Sequence, residues 1–493
     1  MARMIRRLTT ERAAIVIVHL LLFALASRVA IDPDMWWQLR MGEQIVETGD
    51  FIYADSFSHT QTGKLHKYHG GLAQVLMFVS WRAGGHLSMT LFTAALALAG
   101  MHCAYRAGRG SIYMQGFVLV LGAACASTFW SPRPQMFTFV GAALLLYLLR
   151  RLQQHGDAVL WPLPVLLWLW SNLHGGFIVA YLFIAGFVLG EWLKRVVGVG
   201  DGGLSTPVLC RLCALTLLSL LLLPVNPLGL SIYSAPFETL AIPGLRSFIQ
   251  EWKPPDFAQP ITWSFVALLA VLALSVVASR RRLDLTVAIL VGGTALMALY
   301  SGRHLSLFAL TAVPVVSTHL DIFLKRKGWT LPRRLLESPG RAALNLTLIC
   351  LVAGGTLAQL RHHSSASGVE RALKLNYPQG ALQFLATVSP EGKLFNSYNW
   401  GGYLIYHAPE LPVFIDGRTD LYRDFLGEYT SAAFGGPDWR DVFSRHDIGI
   451  ALIESESPLS ARLEAADDWR LAYRDAVASV YLRQRLPSES TDL

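Results

Sequence analysis

Two aspartates lie close together where the first apolar stretch of the chain gives way to a polar segment. They are Asp32 and Asp34, in the string IDPDMWW that begins at Ile31. Carboxylates in such a place could take a proton from a hydroxyl group or hold a divalent cation. Acids at a membrane boundary can also simply be solvated, so the neighbouring residues have to distinguish these interpretations.

The residues that follow favour a fixed position for the two carboxylates. Pro33 restricts the backbone between them, and Trp36 and Trp37 are of the residue type that anchors chains at headgroup depth. Residues 41–46 have the pattern of a short amphipathic helix that lies on the membrane. We therefore expect this segment to belong to a site at the membrane surface.

The composition predicts an integral membrane protein. Of the 493 residues, 53% are hydrophobic and 15% are charged, and the mean hydropathy is +0.41. An ordinary soluble chain has about 25% charged residues. The net charge of +8 comes from basic residues that punctuate apolar runs, so we expect no nucleic-acid partner. All five cysteines fall inside or at the edge of apolar segments, which predicts no disulfide framework.

About eleven apolar segments are long enough to be spanning helices. They are centred near Leu21, Ala95, Leu119, Ala142, Leu166, Ile184, Leu217, Leu269, Val291, Val313 and Leu351. Cytoplasmic loops are enriched in Lys and Arg, and every second connection here is basic, from Arg3, Arg6, Arg7 and Arg12 to Arg333 and Arg334. This pattern predicts a cytoplasmic N-terminus and places the chain after Leu360 outside.

The predicted fold is therefore a polytopic α-helical membrane protein with a small α/β soluble domain at its C-terminus. Residues 1–360 form the transmembrane domain, including an outer loop at 31–85, and residues 361–493 form an extracytoplasmic domain. In the latter, apolar runs of strand length at 393–397, 413–416, 449–453 and 479–482 alternate with helical patterns at 401–407 and 458–466. The alternative for this domain is a passive cap.

The first outer loop resembles that of the GT-C class of membrane glycosyltransferases, which includes protein O-mannosyltransferases and lipid A aminoarabinose transferases. In that class a catalytic acid follows the first helix, and an interfacial helix and a turn of the type T/S-G-D-W/F-I come after it. Here the string TGDFI occupies residues 48–52. The segment GKLHKYHGGL at 63–72 is similar to the class's segment with a phosphate-facing lysine, which is Lys67 here. The resemblance covers residues 13–100.

The resemblance implies an inverting glycosyltransferase that uses a polyprenyl-linked sugar donor at the outer face of a membrane. Its partners would be that donor, a glycan, lipid or protein acceptor, and membrane lipids. Asp34 is favoured as the general base, and Asp32 stays an alternative because the class often has Asp-Glu where this chain has Asp-Pro-Asp. The expected location is the bacterial inner membrane, with a cytoplasmic N-terminus and a periplasmic or extracellular C-terminal domain.

A departing lipid phosphate needs cations or hydrogen-bond donors around it. In the first loop the candidates are Lys67 and the neighbouring His66 and His69. Others are expected at the outer ends of helices, where ionisable groups are often functional. They are Arg133, His174, Arg303 and His304. Each of these side chains could instead snorkel to the interface.

Two further regions contain candidate substrate-binding residues. Glu251 lies in a proline-bracketed loop at 226–260 that could close over a substrate. It could equally be a second carboxylate, or it could pair with Lys253 or Arg246. In the tail, Asn399 and Trp400 lie in a string that loosely resembles the WWDYG acceptor motif of oligosaccharyltransferases. Asp416 and Arg418 follow a second predicted strand, where they would either complete an acceptor site or form an ion pair of the domain.

No cofactor is expected. A divalent metal on the first-loop carboxylates, as in the oligosaccharyltransferase branch, is an alternative that we disfavour, because the second outer loop at 131–134 contains no acid. Two other functions stay open. One is a transporter or flippase of lipid-linked glycans, which we disfavour because the halves of the chain show no convincing repeat; the other is an O-antigen-type polymerase or ligase.

Overall fold

The computed structural model describes residues 8–156, 160–198, 203–243, 245–329 and 338–484. Arg3, Arg6, Arg7, Arg333 and Arg334, which contribute to the topology prediction, lie outside the described residues. The chain divides into two compact units. We call the first the membrane unit (Met1–Arg28, Leu87–Tyr233 and Ile249–Ser364) and the second the loop–tail unit (Val29–His86, Ser234–Phe248 and Ser365–Leu493). The first outer loop is thus grouped with the C-terminal tail, a different division from the linear one at residue 360.

In chain order, the described helices are α1 (Thr10–Ala26), α2 (Pro33–Thr48), α3 (Gly71–Ala107), α4 (Ile112–Ala126), α5 (Gln135–His155), α6 (Leu163–Leu173), α7 (Ile178–Val197), α8 (Thr206–Leu222), α9 (Ala235–Leu240), α10 (Leu245–Phe248), α11 (Trp263–Ser279), α12 (Leu285–Tyr300), α13 (Leu305–Arg326), α14 (Pro339–Ser364), α15 (Ala366–Asn376), α16 (Gln379–Val388), α17 (Gly401–His407), α18 (Leu426–Ala433), α19 (Trp439–Arg445) and α20 (Pro458–Glu464). The strands are β1 (Ile52–Ala54), β2 (Leu65–Lys67), β3 (Lys393–Asn396), β4 (Ile448–Glu454), β5 (Trp469–Arg474) and β6 (Ala478–Arg483).

Each of the eleven predicted span centres lies in a helix, namely α1, α3 to α8 and α11 to α14. Among the described residues, seven helical segments are long and apolar enough to cross a membrane, and α6, α8 and α12 are shorter apolar helices. The helix α3 is interrupted at Gly84 and Gly85, so its apolar part resumes near His86, as predicted. The chain is an integral membrane protein of the predicted class, and the count of eleven spans stays a prediction.

Small residues let the helices of the membrane unit approach closely. A Cβ atom at Gly100 would lie 2.4 Å from the Phe139 ring, and one at Gly141 would lie 2.5 Å from the indole of Trp170. Phe139 and Trp170 are both buried in the apolar core of this unit. Helices in lipid gain no hydrophobic energy from pairing, so they depend on such close packing.

The loop–tail unit contains the predicted small α/β domain. Its sheet has the order β3-β4-β6-β5, in which β3 and β4 are parallel and the other neighbours are antiparallel. Strands β3, β4 and β6 and helices α17 and α20 lie where the sequence predicts them. Strand β5 was not predicted, because its apolar residues alternate with arginines and it lies at the sheet edge.

The prediction of a strand at 413–416 is wrong. Val413 makes only an isolated bridge with Ser58, and the Asn396 side chain accepts from the backbone N–H of Phe414 and donates to the Ile415 carbonyl, at 2.8 and 2.9 Å. Val413, Phe414 and Ile415 are fully buried. The apolar run therefore signalled burial correctly, but a side-chain amide and the first loop satisfy its backbone in place of a β ladder.

Helix α2 is longer than the predicted interfacial helix at 41–46. Asp32 caps its N-terminus, Pro33 is its first residue, and Gly49 ends it with a left-handed φ of 78°. The prediction that Trp36 and Trp37 anchor this segment in the lipid headgroups is wrong, since they are 0% and 4% exposed and pack inside the protein. Their large apolar area stabilises the fold of the loop–tail unit.

Candidate active site

Asp32 holds the start of helix α2. Its Oδ1 atom accepts a hydrogen bond of 2.9 Å from the backbone N–H of Asp34, and the residue is 8% exposed. Replacing such a cap by alanine costs about 1 kcal/mol, whereas asparagine caps a helix as well as aspartate does. The Asp32 carboxylate therefore has a structural role as the N-cap of helix α2.

Asp34 lies in the first turn of the same helix and is half-buried. The Trp37 indole N–H donates to its Oδ1 atom at 3.1 Å. Gly417 comes so close that a Cβ atom there would lie 2.0 Å from the same oxygen. Asp34 is therefore a carboxylate that is held in one orientation and is partly open to solvent.

Aromatic side chains fix helix α2 from the tail. Trp36 packs against Tyr403 and His407, with ring centroids 5.4 and 4.7 Å apart. The Tyr398 hydroxyl hydrogen-bonds Thr419 Oγ1 at 2.7 Å. Burial, and next the negative charge of Asp34, raise the pKa of Tyr398, so Tyr398 stays a neutral phenol beside the carboxylate.

The three first-loop candidates for phosphate binding differ in exposure. His66 lies buried on β2, and its Nδ1 atom is 2.7 Å from the Tyr53 hydroxyl. Burial lowers the pKa of His66 to about 3 and that of His69 to about 4, so both are neutral near pH 7. Lys67, the last residue of β2, is exposed. Of the three, Lys67 alone offers a solvent-facing cation.

Asp416 and Arg418 form a buried ion network with Asp55. We call these three residues the buried cluster. The Arg418 guanidinium donates to Asp55 at 2.6 Å and to both oxygens of Asp416 at 2.7 and 2.8 Å. All three side chains have 0% exposure. Burial acts to raise the pKa of Asp416, but the adjacent Arg418 outweighs it and lowers that pKa. This geometry corresponds to the ion-pair interpretation of these residues.

A second charged cluster lies in the membrane unit and is partly open. We call Arg133, Glu251 and Arg303 the open cluster: Arg133 forms an ion pair with Glu251, and the two side chains are 20% and 31% exposed. Arg303 stacks over the Trp252 ring at 4.2 Å. Burial acts to raise the pKa of Glu251, but Arg133 and then Arg303 lower it. Two cations and one anion leave this cluster with an excess of positive charge.

Backbone contacts fix the loop that contains Glu251. The Gly302 N–H donates to the Lys253 carbonyl at 2.9 Å, and the Ser301 hydroxyl donates to the Glu251 carbonyl at 3.0 Å. Residues 234–248 of the same predicted lid loop belong to the loop–tail unit, where Phe248 packs on Tyr398 with ring centroids 5.1 Å apart. The segment from Ile249 onward is therefore held against the start of α13.

Two histidines and a further arginine lie elsewhere in the membrane unit. His174 Nδ1 accepts from the Gly176 N–H at 3.0 Å, which leaves the ring proton of a neutral imidazole on Nε2. His304 Nδ1 is 3.2 Å from the Met297 carbonyl. Sequence reasoning missed Arg28, an exposed side chain that donates to the Ser127 carbonyl at 3.1 Å. Its signal was a basic residue directly after the first helix, where the topology prediction does not require one.

Three solved structures were compared with this fold. An oligosaccharyltransferase of Archaeoglobus fulgidus, tethered to an acceptor peptide, aligns with a TM-score of 0.53 and 13% identity, over 90% of this chain and 69% of that one. ArnT from Cupriavidus metallidurans aligns at 0.52 in the apo state, with 14% identity over 96% of each chain. Its form bound to undecaprenyl phosphate also aligns at 0.52, with 15% identity over 94% and 96%. The chain has the GT-C fold. No family model and no curated protein matches it by sequence.

Within the loop–tail unit of this GT-C fold, a cavity of 480 Å³ lies beside helix α2. Asn399 and Trp400, which the sequence suggested as acceptor-binding residues, both line it, together with Pro33. Asn399 is exposed, and the Trp400 indole donates to the Asn376 carbonyl at 3.0 Å. Glu454 and Glu456 also line the cavity. Sequence reasoning missed them because a single acid after a strand has no distinctive signal.

Within the described ranges, no group of three or more His, Cys, Asp or Glu residues is placed to hold a metal ion. His59, His66 and His69 of the first loop form no such group.

Proposed function

We propose that this protein is an inverting glycosyltransferase that moves a sugar from a polyprenyl-linked donor to an acceptor, with Asp34 as the general base. The observation that carries this proposal is the oriented, half-buried carboxylate of Asp34 at the start of α2 in a GT-C fold. The similar ArnT structure bound to undecaprenyl phosphate supports a lipid-linked donor for the same fold.

The reaction is a single displacement at the anomeric carbon. An acceptor hydroxyl oxygen forms a bond to that carbon while the bond to the lipid phosphate oxygen breaks, and its electron pair leaves with the phosphate. The acceptor proton moves to the Asp34 carboxylate. A positioned base of this kind contributes about 10²–10⁴ to the rate.

Exposure favours Asp34 over Asp32 as that base. Each aspartate has one oxygen in a hydrogen bond, from the helix backbone at 2.9 Å for Asp32 and from the Trp37 indole at 3.1 Å for Asp34. Asp32 is nearly buried, whereas Asp34 is only half-buried. A base needs both an accessible oxygen and a fixed direction.

The departing lipid phosphate is assigned to the open cluster. Arg133 and Arg303 outnumber Glu251, and the cluster is partly exposed, so a phosphate can exchange with the carboxylate as the guanidinium partner. His174, in the same unit, is a further candidate for this anion. The exposed Lys67, in the loop–tail unit, is a separate candidate that comes from the resemblance of the first loop. His304 would act with Arg303 from the start of α13.

The site is expected to face the non-cytoplasmic side of a bacterial inner membrane, with a cytoplasmic N-terminus and a periplasmic C-terminal domain. The alternating basic connections support this orientation. The acceptor is a glycan, a lipid or a protein, and no nucleic acid takes part. A reporter fused after Leu493 tests the topology, since cytoplasmic reporter activity there would contradict it.

A matched pair of substitutions at the two aspartates tests the catalytic assignment. Asp34→Asn removes the base, and we expect transfer from undecaprenyl-linked sugars in vitro to fall by about 100-fold or more. Asp32→Asn is the control, because asparagine keeps the cap, and we expect near-normal transfer. Full activity of a folded Asp34→Asn variant would contradict the assignment.

A further inference from the structure

The cavity of 480 Å³ in the loop–tail unit lies at one edge of its sheet. The parallel strands β3 and β4 end there, at Asn396 and Glu454, and the antiparallel strand β6 begins there at Ala478. The carboxyl ends of parallel strands are a recurrent place for ligands. The volume is also within the range of about 300–1,000 Å³ that is usual for small-molecule sites.

Hydrogen bonds fix the Glu454 side chain and the turn after it. The Ser397 hydroxyl donates to the Glu454 carboxylate, and the Ser455 backbone N–H donates to the Val477 carbonyl at 3.0 Å. Ser455 Oγ donates to the Asp475 carbonyl at 2.8 Å. The acid is therefore held in place before any ligand arrives, which reduces the entropy cost of binding.

The groups around the cavity combine acids, amides and aromatic rings. They are Glu454, Glu456, Asn376, Asn399, Tyr377 and Trp400. Among the described lining residues there is no Lys, Arg or His. A ligand phosphate or carboxylate would thus meet two carboxylates and no cation, whereas hydroxyl and amino groups would find acceptors.

We propose that this cavity binds the acceptor through a sugar unit that is neutral or carries an amino group, and that it rejects anionic sugars. This inference rests on the proposed function, which supplies the acceptor, and on the position of the cavity beside the start of helix α2, where Pro33 lines it. Amide and carboxylate oxygens accept hydrogen bonds from the hydroxyl and amino groups of the sugar.

Direct binding to the full-length protein in nanodiscs tests the inference without catalysis. The probes are chitotriose, its fully deacetylated glucosamine trimer, and a trimer of galacturonic acid. We expect the glucosamine trimer to bind most tightly, chitotriose less tightly, and the uronate trimer at least about tenfold more weakly than chitotriose. Equal binding of the uronate, or binding by none of the probes, would overturn the inference.

Substitutions assign the binding to this cavity. Glu456→Gln changes an exposed lining residue, and we expect it to weaken binding of the glucosamine trimer by about five- to tenfold. Glu454→Gln can keep the bond to Ser397 and should act in the same direction. Glu410→Gln, at an exposed acid outside the cavity, is the control and should change nothing. Unchanged binding in both cavity variants would overturn the inference.

The binding test is independent of the proposed catalysis. Asp34→Asn should still bind the glucosamine trimer, whether or not it transfers sugar. Binding with this specificity but no dependence of transfer on Asp34 would refute the proposed function and leave the cavity assignment standing. Transfer that depends on Asp34, without selective binding of the probes, would refute the cavity assignment and leave the proposed function standing.

Discussion

The buried cluster and the open cluster each join arginine to carboxylate, yet they differ in exposure and in balance of charge. In the buried cluster, Arg418 is enclosed by two acids at 0% exposure. In the open cluster, two arginines share Glu251, which is 31% exposed. The groups of a buried ion pair bond to each other and are closed to a ligand from solvent. Removing one partner leaves the charge of the other buried and uncompensated. An open cluster with an excess cation can exchange its carboxylate for a phosphate.

The largest effect is expected from removing the central cation of the buried cluster. Arg418→Ala leaves Asp55 and Asp416 buried without their partner, which should lower the free energy of unfolding by about 3–5 kcal/mol. Thermal unfolding in detergent measures this. Arg423→Ala is the control, because Arg423 is 33% exposed and lies 3.6 Å from Glu238. Equal stability of the two variants would remove the distinction between the clusters.

The complementary change in the open cluster should affect transfer much more than stability. Arg303→Ala removes a proposed donor to the departing phosphate, and we expect the transfer rate to fall by about 10²–10³ with a small change in melting temperature. Arg282→Ala, at an exposed position between α11 and α12, is the control. A stable Arg303→Ala variant with normal transfer would exclude Arg303 from phosphate binding.

Gly417 connects the buried cluster to the proposed base, since it lies between Asp416 and Arg418 and touches Asp34. Gly417→Ala would place a Cβ atom 2.0 Å from Asp34 Oδ1. To relieve this overlap, Asp34 would have to move by about 1 Å, and a misplacement of that order can cost about 100-fold in rate. We therefore expect a loss of that order in steady-state transfer. Gly427→Ala is the matched control because nothing lies within 4 Å of its Cβ position. If the two variants were equally active, the position of Asp34 would not depend on this contact.

The smallest effect concerns pH and Glu251. Arg133 and Arg303 hold the pKa of Glu251 below its ordinary value, so its ion pair contributes stability that is fully present above the unfolded pKa of about 4.3. That contribution is lost as pH falls through the lower folded value. Melting temperatures measured below pH 5 should therefore fall more for the wild type than for Glu251→Gln. Parallel pH profiles would contradict this.

The membrane helices could be predicted from the sequence because apolar length alone determines whether a segment can span. Strands β3, β4 and β6 could be predicted from short apolar runs between turns. The segment at 413–416 could not, because an apolar run reports burial without saying which groups satisfy the backbone. The prediction for Trp36 and Trp37 was wrong for a related reason, since an aromatic residue suits both a membrane interface and a protein core.

The candidate site was predicted less completely than the fold. Asp32 and Asp34 stand out by spacing, but only the structure assigns the cap to Asp32. The partner of Arg418 in the first loop, Asp55, is 363 residues away in the chain. No local pattern reveals a contact over that separation, so the burial of Arg418 required the tertiary structure.

The most direct test of this account is a cryo-EM map of the full-length protein with undecaprenyl phosphate. The account predicts phosphate density within about 3 Å of the Arg133 or Arg303 guanidinium, with the Arg418 network unchanged. Phosphate bound elsewhere, while Arg133 stays paired with Glu251 and Arg303 stays stacked on Trp252, would contradict it.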